Sequence, residues 1–162
     1  MSLVVPFDGS ELSKTALVRA AQFKTVLDQG VVVVSVVPRN NKSYARERGW
    51  IGPNEEFDGE KIVDSLRQSV AKVAPDAEFH HISVGRHSPS GTIANKIRQF
   101  ARDNDASMVF LGSENAGRMV GSLSVGSSVS ADRSYDTMIV SNVGATKIPE
   151  LEAAVSTEDA IE

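Results

Sequence analysis

Cysteine is absent from this chain of 162 residues, and its absence excludes several kinds of chemistry. Without thiols there is no disulfide framework, no thiolate metal site and no cysteine nucleophile. The sequence also lacks any apolar run near the ~18 residues that a membrane-spanning helix needs, and its first residues lack the pattern of a secretory signal. We therefore predict a cytoplasmic protein with no membrane partner.

An excess of basic residues is also missing. The net charge is -4, and the segment 142–162 accounts for it with five acidic residues and one lysine. Residues 1–141 hold 16 acidic and 16 basic residues and are neutral, which argues against a nucleic-acid partner. We predict one domain over residues 1–141 and an acidic C-terminal tail over 142–162.

Strand-like and helix-like segments alternate along the neutral part of the chain. The run 31–37 is continuously apolar and β-branched, which is typical of a strand covered on both faces. Predicted strands cover residues 3–6, 31–37, 78–84, 107–111 and 137–140, and predicted helices cover 12–27, 60–73, 90–104 and 127–134. Residues 38–57 contain glycines and prolines that interrupt regular structure, and they are predicted to form a loop. This alternation predicts an α/β fold, a doubly wound parallel sheet with helices on both faces.

Two of the predicted strands end in glycine and hydroxyl residues just before a helix-like pattern. The first strand is followed by Asp8, Gly9 and Ser10, and the fourth by Gly112 and Ser113. Further glycine and serine residues extend the second end, at Gly117, Gly121, Gly126 and Ser127. Backbone N–H groups near glycine bind phosphates, because no Cβ obstructs the anion. Side by side, these ends would form a nucleotide crevice; the alternative is a flexible surface loop rich in turn formers.

Four motifs resemble the universal stress protein family over residues 1–141. VVPFDGSELS is similar to its first strand and turn, and VVVVSVVP to its second strand. GRHSPSGTI resembles the loop before its third helix, and ASMVFLGSENAG followed by GSS resembles its nucleotide loop. The resemblance implies a Rossmann-like five-stranded parallel sheet of order 3-2-1-4-5. In that order the reversal lies between strands 1 and 4, where the two glycine-rich ends stand.

The resemblance also implies roles for particular residues. Asp8 matches the acidic residue that contacts the nucleoside, and Val36 matches the position whose backbone meets the adenine. The phosphate loop would begin at Gly112 and Ser113 and close at Gly126 and Ser127. Asn115 stands where the family has its second glycine, and the nearest glycine is Gly117. Asn tolerates positive φ better than most residues, so Asn115 would partly replace that glycine. The implied ligand is ATP, with magnesium.

Other interpretations of these residues remain open at the level of sequence. Asp8 would serve equally as the N-cap of the first helix, with Glu11 three residues on. Tyr44, Arg48 and Trp50 belong to a basic and aromatic loop that would either cover a nucleotide or pack on the domain as a solvated loop. Adjacent histidines at positions 80 and 81 point to opposite faces of a strand, so no metal site is predicted.

With these residues, the family resemblance implies a non-catalytic stress-response or regulatory module that binds an adenine nucleotide. One alternative is a nucleotide-free interaction module of the same fold. A less favoured one is an adenylate-forming enzyme, because GSELS lacks the double glycine of a pyrophosphate loop. The family resemblance implies a homodimer. We expect it to use the edge strand from Thr137 to Val140, whose backbone groups are otherwise unpaired.

Overall fold

The computed structural model of the protein describes residues 1–112 and 128–143. Within them, five strands form one parallel sheet: β1 (Ser2–Pro6), β2 (Gly30–Pro38), β3 (Glu78–Val84), β4 (Ala106–Gly112) and β5 (Asp136–Val140). Their order is β3-β2-β1-β4-β5, and every neighbouring pair is parallel. The predicted doubly wound parallel sheet is confirmed, with its reversal at β1 and β4.

Helices cover both faces of this sheet. They are α1 (Glu11–Leu27), α2 (Lys42–Glu47), α3 (Gly59–Val73) and α4 (Ser90–Asp103), and a helical turn spans residues 128–130. α1 and α3 pack on one face and α4 packs on the other. None of the helices in the described ranges is long and apolar enough to span a membrane.

The strands divide the core into two apolar layers. Successive side chains of a strand point to opposite faces, so Leu3 and Val5 join the α1 and α3 layer whereas Val4 joins the α4 layer. Phe110 is fully buried on the first face, with its ring 5.4 Å from that of Phe23. In β2 every residue after Gly30 is buried, as the continuous apolar run predicted.

The N-cap of α1 differs from one sequence-based interpretation, whereas the end of the helix at Leu27 agrees with the prediction. Ser10 is the N-cap, and its Oγ accepts a hydrogen bond from the Ser13 backbone N–H at 3.3 Å. The interpretation of Asp8 as the N-cap is therefore wrong. At the other end Asp28 is the C-cap, with φ 53°, and β2 begins at Gly30. Asp visits the left-handed region more easily than most residues, because its short side chain bonds locally.

The prediction of a loop over residues 38–57 needs correction, because α2 forms inside it. Asn41 caps this helix by accepting a hydrogen bond from the Tyr44 backbone N–H at 3.0 Å. A helix of six residues spans less than two turns, so it shows no apolar period that a sequence window detects. The helix predicted over 127–134 is also shorter in the described range, where only residues 128–130 are helical.

Candidate functional site

The strand order places the candidate site at the carboxyl ends of β1 and β4. β1 pairs with β2 on one side and with β4 on the other. The chain therefore leaves β1 toward β2 on one side of the sheet and leaves β4 toward β5 on the other side. Such a switch point opens a crevice in which doubly wound proteins bind ligands. The strand ends that sequence analysis singled out, Asp8 to Ser10 and Gly112, therefore stand at neighbouring positions.

The turn that follows β1 is fixed by hydrogen bonds on both sides. Ser35 is fully buried, and its hydroxyl donates to the Phe7 carbonyl at 2.6 Å. The Asp8 Oδ1 accepts a hydrogen bond from the Ser10 backbone N–H at 3.0 Å. Gly9 between them has φ +83°, a conformation that residues with a Cβ rarely adopt. Asp8 therefore shapes the turn with one oxygen, and its half-buried carboxylate stands at the edge of the crevice.

Val36 lies in β2 beside this turn. Its side chain is buried in the α4 layer, so only its backbone is available to the crevice. Val34 is the last residue of β2 that pairs in register with β1. Val36 therefore lies two residues beyond the end of that ladder, on the side where β1 has already turned away.

Gly112 ends β4 against the first turn of α1. A Cβ at this position would lie 2.8 Å from the carbonyl carbon of Leu12 and 2.9 Å from its oxygen. Real Cβ atoms essentially never approach backbone so closely, so glycine is required by packing. From sequence we predicted that Gly112 binds phosphate. The close approach of α1 to β4 gives a second reason for a glycine at this position.

The segment with α2 lies over the end of β1. The Trp50 indole N–H donates to the Asp8 backbone carbonyl at 2.7 Å, and the Tyr44 ring centroid lies 5.6 Å from that of Trp50. Arg48 places its guanidinium carbon 3.4 Å from the centroid of the Tyr44 ring. Burial raises the pKa of Tyr44 above its usual range, the Arg48 charge opposes this, and the Asp8 charge adds to it. The aromatic and basic loop therefore contacts the candidate site directly.

A buried carboxylate that was not predicted from sequence, Asp132, follows the glycine-rich segment (residues 112–127). Asp132 Oδ2 accepts hydrogen bonds from Arg98 Nε at 3.0 Å and from Arg102, both on α4. Its Oδ1 accepts from the Ser134 backbone N–H at 2.9 Å and from the Ser134 hydroxyl at 2.6 Å. The Ser134 hydrogen bonds, with smaller contributions from the two guanidinium groups, outweigh burial and hold the pKa of Asp132 well below its ordinary value.

The same cluster fixes the residues on either side of Asp132. Arg98 also donates to the Ser128 hydroxyl at 3.4 Å, and the Tyr135 hydroxyl donates to the Val129 carbonyl at 2.6 Å. Burial, with the nearby Asp132 charge, raises the pKa of Tyr135 to about 12. The chain that leaves the glycine-rich segment is therefore anchored to α4 before it enters β5.

The histidines do not come together. The His80 ring is tilted at 58° to the ring of Phe100 on α4, with centroids 5.4 Å apart, whereas His81 lines a groove of about 520 Å³ on the α3 face. The two faces are those expected from strand alternation. Across residues 1–112 and 128–143, no group of three or more His, Asp or Glu side chains could hold a metal ion.

Five of the predicted site residues lie outside the described part of the chain. They are Ser113, Asn115, Gly117, Gly126 and Ser127. Most of the predicted acidic tail, from residue 144 onward, lies outside it too. Of the predicted set, Asp8, Val36 and Gly112 are described, and they lie on or just after the three neighbouring strands β1, β2 and β4. Trp50 contacts Asp8, and Tyr44 and Arg48 adjoin Trp50 in the same segment.

The described strands and helices define a doubly wound α/β protein whose strand order reverses between β1 and β4. The sequence model of the universal stress protein family matches residues 1–132, and the chain belongs to that family. A search of curated proteins found no match for this chain.

Solved structures of the same family share the fold. A universal stress protein in complex with cAMP superposes with a TM-score of 0.56 at 20% identity, covering 87% of this chain and 97% of that chain. The universal stress protein of Archaeoglobus fulgidus in complex with dAMP gives 0.56 at 20% identity, over 87% and 98%. UspA from Lactobacillus plantarum gives 0.57 at 20% identity, over 87% and 97%. At these identities the likeness establishes the fold.

Proposed function

We propose that this protein is a non-catalytic regulatory module of the stress response that binds an adenine nucleotide between the ends of β1 and β4. The observation that carries the proposal is the meeting of the fixed Asp8 turn with the end of β4 at the switch point. Relatives of the same fold in complex with cAMP and dAMP support adenine as the base. The finer form of the proposal is ATP with magnesium.

The proposal gives each candidate residue a role. Asp8 contacts the nucleoside, and the backbone of Val36 meets the adenine beyond the β1 ladder. Backbone N–H groups of the glycine-rich segment hold the phosphates, because glycine lets an anion approach the chain closely. The residues proposed for this second role are Gly112, Ser113, Asn115, Gly117, Gly126 and Ser127.

Isothermal titration calorimetry with ATP, with and without magnesium, tests this function on the full chain. We expect binding of the wild type below millimolar nucleotide. Gly126→Val should weaken binding at least ~10-fold, about 1.4 kcal/mol, because its side chain would obstruct the phosphates. Gly30→Ala is the control, since Gly30 lies at the amino end of β2, where an added Cβ would meet nothing within 4 Å. Absence of binding at millimolar ATP would instead support an interaction module of the same fold.

We also propose that the protein is a homodimer assembled through β5. Among the described strands β5 stands at one edge of the sheet, paired on one side with β4. Ile139 of β5 is 56% exposed and Val143 just beyond it is 55% exposed. An apolar edge strand with unpaired backbone groups is stabilised by pairing with a second copy.

Light scattering at micromolar concentration tests the dimer. The wild type should give twice the mass of one chain, and Ile139→Lys should shift the protein to the monomer because the charge would be buried at the interface. Val26→Lys is the matched control, since Val26 is an equally exposed apolar residue, at 57%, and lies in the last turn of α1 and not on the edge strand. A monomer mass for the wild type would contradict the proposal.

A further inference from the structure

The segment 41–50, which contains α2, is attached to the domain at both ends. At its start the Asn41 side-chain amide donates to the Arg86 carbonyl at 2.8 Å. At its end the Trp50 indole N–H donates to the Asp8 backbone carbonyl. Gly49 has φ +71°, which turns the chain so that the Trp50 backbone N–H reaches the Ala45 carbonyl at 2.9 Å. These attachments hold the aromatic side chains of the segment beside the crevice.

The Tyr44 ring contacts Trp50 within this segment and the domain outside it. It packs against the apolar layer that contains Val36, it is half-buried, and it lies close enough to Asp8 for that charge to influence its hydroxyl. Aromatic faces of this kind stack on nucleic-acid bases, and each such contact contributes ~1–3 kcal/mol. The ring is thus a flat apolar surface next to two residues of the proposed nucleotide site.

Arg48 covers one face of that ring. A guanidinium is planar and stacks on aromatic faces, and the 3.4 Å from its carbon to the ring centroid is a stacking distance. Among the described residues Arg48 forms no ion pair with a carboxylate within 4.0 Å. The contact with Tyr44 is therefore its main attachment, and a partly exposed cation–π contact is weak enough to exchange.

We propose that the Tyr44 ring is the base-stacking surface of the nucleotide site and that a purine binds by taking the place of Arg48 on it. The inference rests on the proposed function and specifies how that site selects a flat base. It makes Arg48 a competitor of the base and Tyr44 a determinant of specificity.

Adenosine is the probe for this proposal, because it carries no charge and so does not respond to the loss of a positive group. Arg48→Ala should raise the affinity for adenosine about fivefold, the equivalent of an exposed cation–π contact. Tyr44→Leu should lower it about tenfold, whereas Tyr44→Phe keeps the ring and should retain it. Lys72→Ala, which removes an exposed charge from the last turn of α3, should leave it unchanged.

The fluorescence of Trp50 provides the signal, since it is the only tryptophan of the chain and its ring lies 5.6 Å from Tyr44. Calorimetry repeats each titration with ATP. Tighter adenosine binding by Arg48→Ala, including binding seen only in that variant, supports the proposal. If Arg48→Ala binds adenosine as weakly as the wild type or more weakly while ATP still binds, the stacking proposal is wrong and the nucleotide site stands. If neither ligand binds any variant, the proposed function itself fails.

Discussion

Asp132→Asn should lower the free energy of unfolding by about 3 kcal/mol, because Arg98 and Arg102 would lose the buried carboxylate that accepts their hydrogen bonds. The Asp132 side chain is 4% exposed, and both of its oxygens face donors, on Arg98, Arg102 and Ser134. One oxygen faces the two arginines and the other faces Ser134. In either orientation an asparagine would place its NH₂ group, a donor, against one of these groups of donors. Thermal or urea denaturation of the folded chain measures the loss.

Asp64→Asn is the matched control for this substitution. Asp64 forms a hydrogen-bonded ion pair with Arg67 at 2.8 Å, but both side chains are more than half exposed. Exposed ion pairs three residues apart on a helix contribute only ~0.2–0.5 kcal/mol. Equal losses in the two variants would show that burial of Asp132 adds nothing to its stabilising effect.

The dependence of stability on pH follows from the same carboxylate. Its pKa in the folded protein lies well below its ordinary value, so the unfolded chain binds the proton more readily. The stabilisation is therefore fully present above the unfolded pKa of about 3.9 and is lost as the pH falls below it. The difference in stability between the wild type and Asp132→Asn should be largest near neutral pH and should shrink on acidification.

Gly112→Ala should destabilise the protein by about 2 kcal/mol, the usual cost of forcing an extra methyl group into a packed site. The added Cβ would lie 2.8 Å from the backbone of Leu12, which cannot move without shifting the first turn of α1. Thermal unfolding measures the effect.

Gly91→Ala provides the comparison with opposite sign. Gly91 is exposed in the second position of α4, and a Cβ there meets nothing within 4 Å. Alanine restricts the unfolded chain and favours helix, so this variant should gain about 0.5 kcal/mol. A stability of Gly112→Ala equal to that of the wild type would mean that α1 and β4 do not approach as closely as described.

The sheet could be predicted from sequence because its signals are local. The continuous β-branched run of β2 shows that both faces are covered, and the alternation with helical periods dictates parallel strands. The turn after β1 was predicted in position but not in detail. Asp8 and Ser10 are both good N-caps, and the choice between them follows from the bend at Gly9, whose φ is +83°.

The contacts missed from sequence join residues that are far apart in the chain. Asp132 is 34 positions from Arg98 and 30 from Arg102, and Trp50 is 42 positions from Asp8. Local spacing carries no information about such pairs, because they form only when the helices dock on the sheet. In the sequence Asp132 is surrounded by serine and charged residues, which usually lie at the surface, so its burial could not be predicted.

Amide chemical shifts of the ¹⁵N-labelled chain during a titration with AMP test the proposed location of the nucleotide most directly. We expect shifts that saturate and that centre on the amides of Asp8, Gly9, Ser10, Val36 and Gly112. Shifts that centre on the amino ends of the strands, or no shifts at millimolar AMP, would contradict it.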